Sequence, residues 1–459
     1  RVTPCGEGPL AGLVWQWQEC LSAVLISDSH THLRCAPGRP SVLAVTSEVP
    51  WPLDSGGHLR TYHLLRALAA DLPVRVVAPT VAGRVGESRA ALKTAGLDPS
   101  IVTLPPRNLA TESVRAMAAA ISRKPYVLFA RHRHRQVRRT LEWELGRHAP
   151  DVLYFDHLDS LVYAGDCPAT PIVLDMHNVY SRLASRMAGE AAGALQRNYL
   201  AHEAALLDRM EQRAVRLAHT VLAVSVEEAQ YFRALGAPRV VVVPNGVDCE
   251  AFGGVPIAKR GGPPTILYVG TLSWPPNASA ARFLATEVLP AVQRRLPDAR
   301  LLIVGRDPGP EVIALARPGS GIEVAANVPD VMPYYRAASM LAVPLDAGGG
   351  TRLKILEAFA AGMPVLSTRV GCEGIDAVAG EHLELAERGE FAGAAIRLLL
   401  DPDRSCAIAA RARLFARQHY DWSVGGARAR DAVAVAAGDG PWNRAAFPAA
   451  AIAATVPAQ

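Results

Sequence analysis

The sequence predicts an α/β protein with two doubly wound domains that face each other across a cleft. The chain has 459 residues, more than one hydrophobic core usually supports. Short, near-continuous apolar runs alternate with amphipathic stretches, which is the pattern of parallel strands covered by helices on both faces. This series stops in a stretch rich in Gly and Pro at residues 252–264 and then begins again, so we expect a domain boundary there.

The first predicted domain covers residues 41–245. Its strands are expected at residues 41–46, 74–78, 101–104, 151–155, 171–175, 220–224 and 240–243. A helix is expected after the first strand, from about residue 57 to 70. Residues 1–40 lack the basic, apolar and cleavage-site order of a signal peptide, and we expect an irregular N-terminal extension or a misplaced start.

Residues 246–264 are predicted to form a linker and residues 265–423 a second domain. Its strands are expected at residues 265–269, 300–304, 321–325, 340–343 and 365–368. Helices are expected at about 277–295, 349–361 and 391–420, and the last helices are expected to cross back to the first domain. Residues 424–459 are predicted to be a partly disordered C-terminal tail.

The composition indicates a soluble globular enzyme, because half of the residues are apolar and a fifth are charged. A net charge of +5 suits an anionic ligand or membrane surface but is too weak to indicate nucleic acid. The seven cysteines form no C-x-x-C pair, which argues against a disulfide framework and a zinc site. No run of eighteen apolar residues occurs. We therefore expect a cytoplasmic enzyme without a metal.

A glycine-rich turn and the helix after it are the strongest functional signal. Gly349, Gly350 and Thr351 leave backbone N–H groups available to a phosphate, and the helix start adds a partial positive charge. Glu357 lies six positions beyond Thr351, roughly 9 Å along the helix axis. A carboxylate at that distance from a bound phosphate can accept hydrogen bonds from both hydroxyls of a ribose. Arg352 and Lys354 are placed to neutralise a leaving diphosphate. The alternative is a packed helix in which Lys354 and Glu357 pair on an exposed face.

The loops beyond the carboxyl ends of the strands hold the other candidates, because ligands bind there in open parallel sheets. Gly57 offers a second anion site, although glycine pairs are also common in ordinary turns. The same loop lacks G-x-G-x-x-G, which disfavours a dinucleotide oxidoreductase. His177 either bonds a sugar hydroxyl or a developing charge, or forms a structural pair with Asp175. The sequence cannot rank four further loop residues: Glu48, Asp54, Asp156 and His157.

Two more segments have a structural and a functional interpretation. Ser225 and Glu228 have the spacing of a helix capping box, for which the structural interpretation is favoured. Residues 131–139 hold five Arg and two His, which suits contact with anionic lipid headgroups or a solvated helix face.

Taken together, these motifs resemble the retaining glycosyltransferases of the GT-B fold, specifically family 4 (glycosyl transferases group 1). Among them, the chain is most similar to sugar transferases of bacterial exopolysaccharide systems. The resemblance runs from about Ser41 to Ser423. Its motifs, in order, are VTS at 45–47, GG at 56–57, DMHN at 175–178, VPNGVD at 243–248, YVGT at 268–271, WPPN at 274–277, IVGR at 303–306, VPD at 328–330, PY at 333–334 and the segment 348–367.

The resemblance implies two Rossmann-like domains, of which the second holds a nucleoside-diphosphate-sugar as co-substrate and the first holds the acceptor. It implies that Glu357 binds the ribose and that the loop around Val328 meets the base. Gly57 and the amides of residues 349–351 would hold the diphosphate, and His177 would lie near the anomeric carbon. Thr271 and Arg306 fall in the motifs that match the donor side.

The same resemblance implies a metal-independent hexosyl transfer with retention of anomeric configuration and no further cofactor. The leaving phosphate would itself help to deprotonate the acceptor, so no pair of catalytic carboxylates is needed, unlike in glycosidases. The expected acceptor is a lipid-linked or polysaccharide glycan in cell-envelope or exopolysaccharide synthesis. The enzyme would lie in the cytoplasm or peripherally at the inner face of the membrane, with no nucleic-acid partner.

The chain departs from the family pattern at two places. Gly349 stands where the family often has a first glutamate, and Thr271 and Pro276 stand where many members have Arg and Lys. Arg352 and Lys354 are expected to replace that charge. Two alternatives stay open, namely a catalytically silent sugar-nucleotide-binding partner and a sugar-nucleotide epimerase of the same fold.

Overall fold

The computed structural model describes residues 39–438 except 107, 127–129, 167–169, 192, 255–261 and 348–351. From Pro40 onward the described residues belong to one compact unit. Nearly all of the predicted extension, part of the predicted linker and the tail beyond residue 438 lie outside the described residues. So do Gly349, Gly350 and Thr351.

The first sheet has seven parallel strands in the order β3-β2-β1-β4-β5-β6-β7. The central strands are buried along their whole length because helices cover both faces. The strands are β1 Val42–Val45, β2 Val74–Val81, β3 Asp98–Leu104, β4 Val152–Asp156, β5 Ile172–Met176, β6 Thr220–Ala223 and β7 Val240–Val242.

Eight α-helices of the described residues accompany this sheet. They are α1 Gly56–Ala69, α2 Val85–Thr94, α3 Leu109–Ile121, α4 Arg135–His148, α5 His157–Ser160, α6 Tyr180–Glu190, α7 Ala194–Leu217 and α8 Val226–Ala234. Helices α1 and α8 are capped by Ser55 and Ser225, whose hydroxyls accept hydrogen bonds from the N–H groups of His58 and Glu228. The bond from the Glu228 N–H to the Ser225 hydroxyl is one of the two bonds of the predicted capping box.

The second sheet has six parallel strands in the order β10-β9-β8-β11-β12-β13. The strands are β8 Thr265–Thr271, β9 Arg300–Arg306, β10 Ile322–Ala326, β11 Met340–Val343, β12 Val365–Ser367 and β13 Glu384–Leu385. The helices that follow the first domain are α9 Cys249–Gly253, α10 Pro275–Phe283, α11 Leu289–Gln293, α12 Pro310–Ile313, α13 Met332–Ala337, α14 Leu353–Ala360, α15 Arg388–Leu400, α16 Pro402–His419 and α17 Trp422–Gly438. The predicted α/β fold with two doubly wound domains is confirmed.

Several predicted helices have different bounds in the structure. A π-helical turn at Leu284–Val288 divides the helix expected at 277–295. The helix expected at 391–420 is two helices, because Pro402 starts a new helix at a position where its missing N–H costs nothing. The helix expected at 349–361 is α14, which begins at Leu353.

The predicted tail begins too early, because helix α17 occupies residues 422–438. Its inner face packs on the first domain, where Ala429 and Val433 share a core with Leu64 and Leu68 of α1. Trp422 stacks on His63 of α1 with ring centroids 5.1 Å apart. Helix α17 thus returns from the second domain to the first, as predicted for the last helices.

Both sheets reverse their direction of growth between the first strand and the fourth. In the first sheet this switch lies between β1 and β4, and in the second between β8 and β11. Ligands of such sheets bind at the carboxyl ends of the strands beside the switch. The loops after these strands therefore define where the site must be sought.

Candidate active site

Two histidines lie beside the start of α1, at the carboxyl ends of β4 and β5. The ring centroids of His157 and His177 are 3.5 Å apart. A Cβ on Gly57 would lie 3.5 Å from Cε1 of His157 and 3.9 Å from Nδ1 of His177. The structure therefore brings Gly57 and His177, two predicted site residues, together with a second histidine. His157 has a φ of +69°, a left-handed conformation that turns the chain sharply after β4.

Asp156 holds His157 in its charged form. Its Oδ1 lies 3.0 Å from Nε2 of His177, and its Oδ2 lies 3.6 Å from Nδ1 of His157. Burial opposes a charged ring, but the charge of Asp156 outweighs it and raises the pKa of His157 to about 9. Although burial works against ionisation, the two histidines hold the pKa of Asp156 far below its ordinary value. A cation is therefore fixed beside Gly57 at neutral pH.

A buried ion pair supports the histidines from below. Arg60 of α1 donates from Nη2 to Oδ1 of Asp175 at 2.6 Å and from Nε to both carboxylate oxygens at 3.0 Å. Neither side chain is more than 1% exposed. Tyr154 donates to Oδ2 of Asp175 at 2.8 Å, and Nε2 of His177 lies 3.3 Å from the same oxygen. Burial opposes the charge of the Asp175 carboxylate, but the charge of Arg60 outweighs burial and lowers the pKa of Asp175 to about 2.

Asp156, His157 and His177 also have the residue types of a metal site, with ligand atoms that all lie within 4.8 Å of one another. Both oxygens of Asp156, however, lie within 3.0 Å of the Thr61 hydroxyl, and Oδ1 also faces His177. The carboxylate thus already has hydrogen-bonding partners, and the geometry is that of a hydrogen-bonded cluster that fixes a positive charge.

Helix α14 places Lys354 and Glu357 in different surroundings. Oε2 of Glu357 accepts a hydrogen bond of 2.8 Å from the hydroxyl of Tyr335, and burial raises the pKa of this carboxyl. Nζ of Lys354 lies 3.3 Å from Oδ1 of Asn277 and 4.6 Å from the ring centre of Tyr268. Burial, with Arg352 nearby, lowers the pKa of Lys354 to about 7. The alternative prediction, that Lys354 and Glu357 pair with each other on an exposed helix face, does not match these separate contacts.

The other predicted donor-side residues lie at the ends of neighbouring strands. Thr271 and Arg306 are register partners at the carboxyl ends of β8 and β9. Val328 follows the end of β10, just after Asn327, whose side chain accepts from the N–H of Asp307 at 2.9 Å. This bond fixes the loop that the family resemblance assigns to the base.

The two sets of residues face each other at close range. Nη1 of Arg306 lies 3.3 Å from Oδ2 of Asp54, which belongs to the loop after β1. A Cβ on Gly56 would lie 3.2 Å from Cδ1 of Leu353 at the start of α14. The start of α1 and the start of α14 therefore approach each other across the cleft, although the amides predicted to hold the diphosphate, at residues 349–351, lie outside the described residues.

Arg352, which was predicted to face the leaving diphosphate, is largely buried. It is 6% exposed, and its Nη2 lies 3.4 Å from the backbone oxygen of Val370. Burial lowers the pKa of its guanidinium. Arg352 thus links the start of α14 to the segment after β12. Lys354 lies beside the backbone of Gly270 near the end of β8, since a Cβ on Gly270 would lie 3.0 Å from Nζ of Lys354.

Sequence reasoning missed three parts of this site. His157 was one of four unranked loop residues, and its neighbour Asp156 was the available signal for a raised pKa. Arg60 gives no signal, because its partner Asp175 is 115 positions away. Tyr335 directly follows the PY motif at 333–334 and was not predicted, although its hydroxyl donates the hydrogen bond to Glu357.

Comparisons with known proteins show the family to which the chain belongs. Residues 55–251 match the family described as Glycosyltransferase Family 4, and residues 263–401 match the family described as Glycosyl transferases group 1. The chain belongs to the family 4 glycosyltransferases. The first match covers the strands of the first sheet except β1, the second covers all strands of the second sheet, and residues 252–262 lie between the two matches.

Two curated relatives of this glycosyltransferase come from Mycolicibacterium smegmatis. One is a GDP-mannose-dependent alpha-(1-6)-phosphatidylinositol monomannoside mannosyltransferase, 28% identical over 211 residues, or 40% of this chain and 54% of the relative. The other is a phosphatidyl-myo-inositol mannosyltransferase, 31% identical over 201 residues, or 42% of this chain and 50% of the relative. The chain thus spans about half the length of the curated relatives it matches.

Solved structures of similar fold are GT-B glycosyltransferases. HepE of Anabaena, in complex with UDP and glucose, has a TM-score of 0.58 and 16% identity over 86% of this chain and 99% of its own. WaaG, a glycosyltransferase involved in lipopolysaccharide biosynthesis, has a TM-score of 0.56 and 16% identity over 84% of this chain and 98% of its own. At this level of identity the likeness establishes the GT-B fold of the glycosyltransferase.

Proposed function

We propose that this glycosyltransferase moves a hexose from a nucleoside-diphosphate-sugar to a lipid-linked or polysaccharide acceptor with retention of anomeric configuration. The observation that carries the proposal is the approach of the α1 and α14 starts across the cleft. Gly57, the charged His157 and His177 lie on one side, and Lys354 and Glu357 lie on the other. A diphosphate between them meets two helix N-termini and at least one cation.

On the donor side, we assign the ribose to Glu357. Tyr335 holds one of its oxygens, and the raised pKa of the carboxyl means that burial disfavours its charge until a partner arrives. Two ribose hydroxyls donating to this carboxylate would supply that partner. The loop around Val328 would meet the base, and Gly349, Gly350 and Thr351 would contribute amides to the diphosphate.

At the reacting centre, the histidines and Lys354 stabilise charge as the sugar leaves. His177 would face the anomeric carbon through Nδ1, because its Nε2 is held by Asp156. Lys354, and Arg352 through its place at the start of α14, would offset the charge of the departing diphosphate in place of a metal ion. Full activity in the presence of EDTA is the expected result, and its loss would refute metal independence.

For the acceptor, the names of the relatives suggest a lipid headgroup. Both mycobacterial relatives are named for transfer to phosphatidyl-myo-inositol or its mannoside. Exposed arginines on α4, among them Arg135 and Arg139, would hold the enzyme at an anionic surface. Among the described residues, no helix has the length and apolarity to cross a membrane. Association with anionic liposomes that weakens with salt would support a peripheral location, and salt-insensitive or absent association would contradict it.

The deciding experiment is a donor panel followed by product analysis. A thermal-shift screen with UDP, GDP, ADP, CDP and dTDP identifies the base, because the ligand that binds the folded state tightest raises Tm most. The matching nucleotide sugar is then incubated with bacterial lipid extract, and the anomeric configuration of the product is read by NMR. Transfer with retention supports the proposal. Conversion of the donor without an acceptor would indicate an epimerase, and binding without turnover would indicate a silent partner.

A further inference from the structure

A cavity of about 390 Å³ lies between the two domains, beside the residues that follow His177. Most of its wall comes from the first domain, at the start of α6 and the start of α8, and the rest comes from the segment after β12. The polar side chains at its wall are those of Asn178, Arg182, Arg186, Ser225, Glu227, Glu228 and Glu373. No residue that we assign to the donor lines it.

Glu228 lines this cavity with a carboxylate that is only partly hydrogen-bonded. The hydroxyl of Ser225 accepts from the N–H of Glu228 at 3.2 Å, which is one half of the capping box. Oε2 of Glu228, however, is buried and has no hydrogen-bond partner among the described residues. Burial raises the pKa of this carboxyl to about 7, although nearby Arg60 and the amides of Val179 and Val224 favour its charged form. Buried acceptors are nearly always satisfied in native proteins, so a ligand is the expected partner.

The cations at the cavity wall are engaged with protein groups. The guanidinium of Arg182 lies 4.3 Å from the ring centre of Tyr231. Nη2 of Arg186 lies 3.7 Å from Oε1 of Glu373 across the cleft. The wall thus sets the carboxylates of Glu227, Glu228 and Glu373 against two arginines and adds an amide and a hydroxyl. This absence of excess positive charge suits a neutral polyhydroxy group better than a phosphate.

The position of the cavity links it to the reaction. Asn178 directly follows His177, so the cavity adjoins the histidine that we assign to the anomeric carbon. On the opposite wall, Glu373 follows Val370, whose backbone oxygen accepts from Arg352 at the start of α14. The cavity thus lies next to the donor seat and shares a support with it.

We propose that this cavity binds the sugar or cyclitol ring of the acceptor, and that Oε2 of Glu228 accepts a hydrogen bond from one of its hydroxyl groups. This inference rests on the proposed function, since it names the class of acceptor for the same transfer. Glu228 then selects an acceptor by its hydroxyl pattern. An analogue that lacks the bonded hydroxyl leaves the carboxylate buried without a partner and is rejected strongly.

The test compares Glu228→Gln and Glu228→Ala with the wild type and with Glu390→Gln, a matched change at an exposed glutamate of α15. Methyl α-D-mannopyranoside, methyl α-D-glucopyranoside and myo-inositol serve as acceptor probes. Their binding is measured by saturation-transfer NMR, and their transfer kinetics are measured at saturating nucleotide sugar. We expect the acceptor Kd and KM to rise about tenfold in Glu228→Gln and further in Glu228→Ala. The donor KM and the rate of donor hydrolysis should stay within about twofold in both variants.

Three results would overturn the inference. They are an acceptor KM unchanged in Glu228→Ala, an equal rise of donor and acceptor KM, or a wild type that binds none of the three probes. The NMR measurement needs no donor, so it separates this inference from the proposed function. Probe binding lost in Glu228→Ala but without donor turnover in the wild type would refute the transferase activity and leave the cavity assignment supported.

Discussion

Lys354 should make donor binding depend on pH. Its Nζ is surrounded by Asn277, the Tyr268 ring and the backbone of Gly270, and burial lowers its pKa to about 7. Above that pH the free protein holds Lys354 mainly neutral. A bound diphosphate favours the ammonium form, so binding must take up a proton and weaken as the pH rises.

The magnitude follows from this single proton. Above the free-state pKa, each pH unit adds about 1.4 kcal/mol to the cost of charging Lys354, so Kd should rise about tenfold between pH 7.5 and 8.5. Calorimetry with the tighter of GDP-mannose and UDP-glucose, in two buffers of different ionisation enthalpy, should show uptake approaching one proton at pH 8.5. In Lys354→Met the slope and the buffer dependence should both disappear.

The same change is the control for other titrating groups. His157, whose pKa is about 9, also begins to lose its charge in this window. A slope that persists in Lys354→Met would assign the pH dependence to such a group. A wild-type Kd that is equal at pH 7.5 and 8.5, with no proton uptake, would refute the assignment of Lys354 to the diphosphate.

Four further substitutions test the donor site and the residues that support it. Glu357→Gln should raise the donor Kd about tenfold to a hundredfold, because it removes charge-assisted bonds to the ribose. Tyr335→Phe should raise the donor Kd less, because it removes only the bond that positions the Glu357 carboxylate. Calorimetry that finds equal donor affinity in Glu357→Gln would contradict the assignment of Glu357 to the ribose. Arg60→Leu should lower the free energy of unfolding by about 3–5 kcal/mol, because Asp175 stays buried without its counter-ion, and urea unfolding at pH 7 would measure this. Gly305→Ala should destabilise the second domain by about 1–3 kcal/mol, since its Cβ overlaps the Gly270 carbonyl, and an unchanged Tm would show that the strands move apart easily.

The layout of the fold could be predicted from the sequence because parallel strands buried on both faces are continuous apolar runs. The apolar run at 340–343 became β11 with the same bounds. Strands with polar ends were predicted too short, as at β3, which begins at Asp98 rather than residue 101. Helix α17 was missed because its small residues, including Gly425 and Gly426, indicate a turn or tail. In the fold they allow the helix to approach α1 closely, where a Cβ on Gly426 would overlap Ala67.

The site could be predicted only in part, because sequence patterns show which loops converge but not which side chains meet. The strand-end rule located Gly57 and His177 at one edge of the first sheet. It could not show that Asp156 charges His157, or that Arg60 neutralises Asp175, since these depend on packing between distant segments. The assignments of Gly349, Gly350 and Thr351 stay predictions, because these residues lie outside the described part of the chain.

The central claim is that a nucleotide lies between the starts of α1 and α14 with its ribose on Glu357. The most direct measurement is a crystal structure of the protein with the nucleoside diphosphate that raises its Tm most. The account predicts ribose hydroxyls within hydrogen-bond distance of the Glu357 carboxylate and a diphosphate between Gly57 and the turn before α14. A nucleotide bound elsewhere, or a ribose held by other side chains, would contradict it.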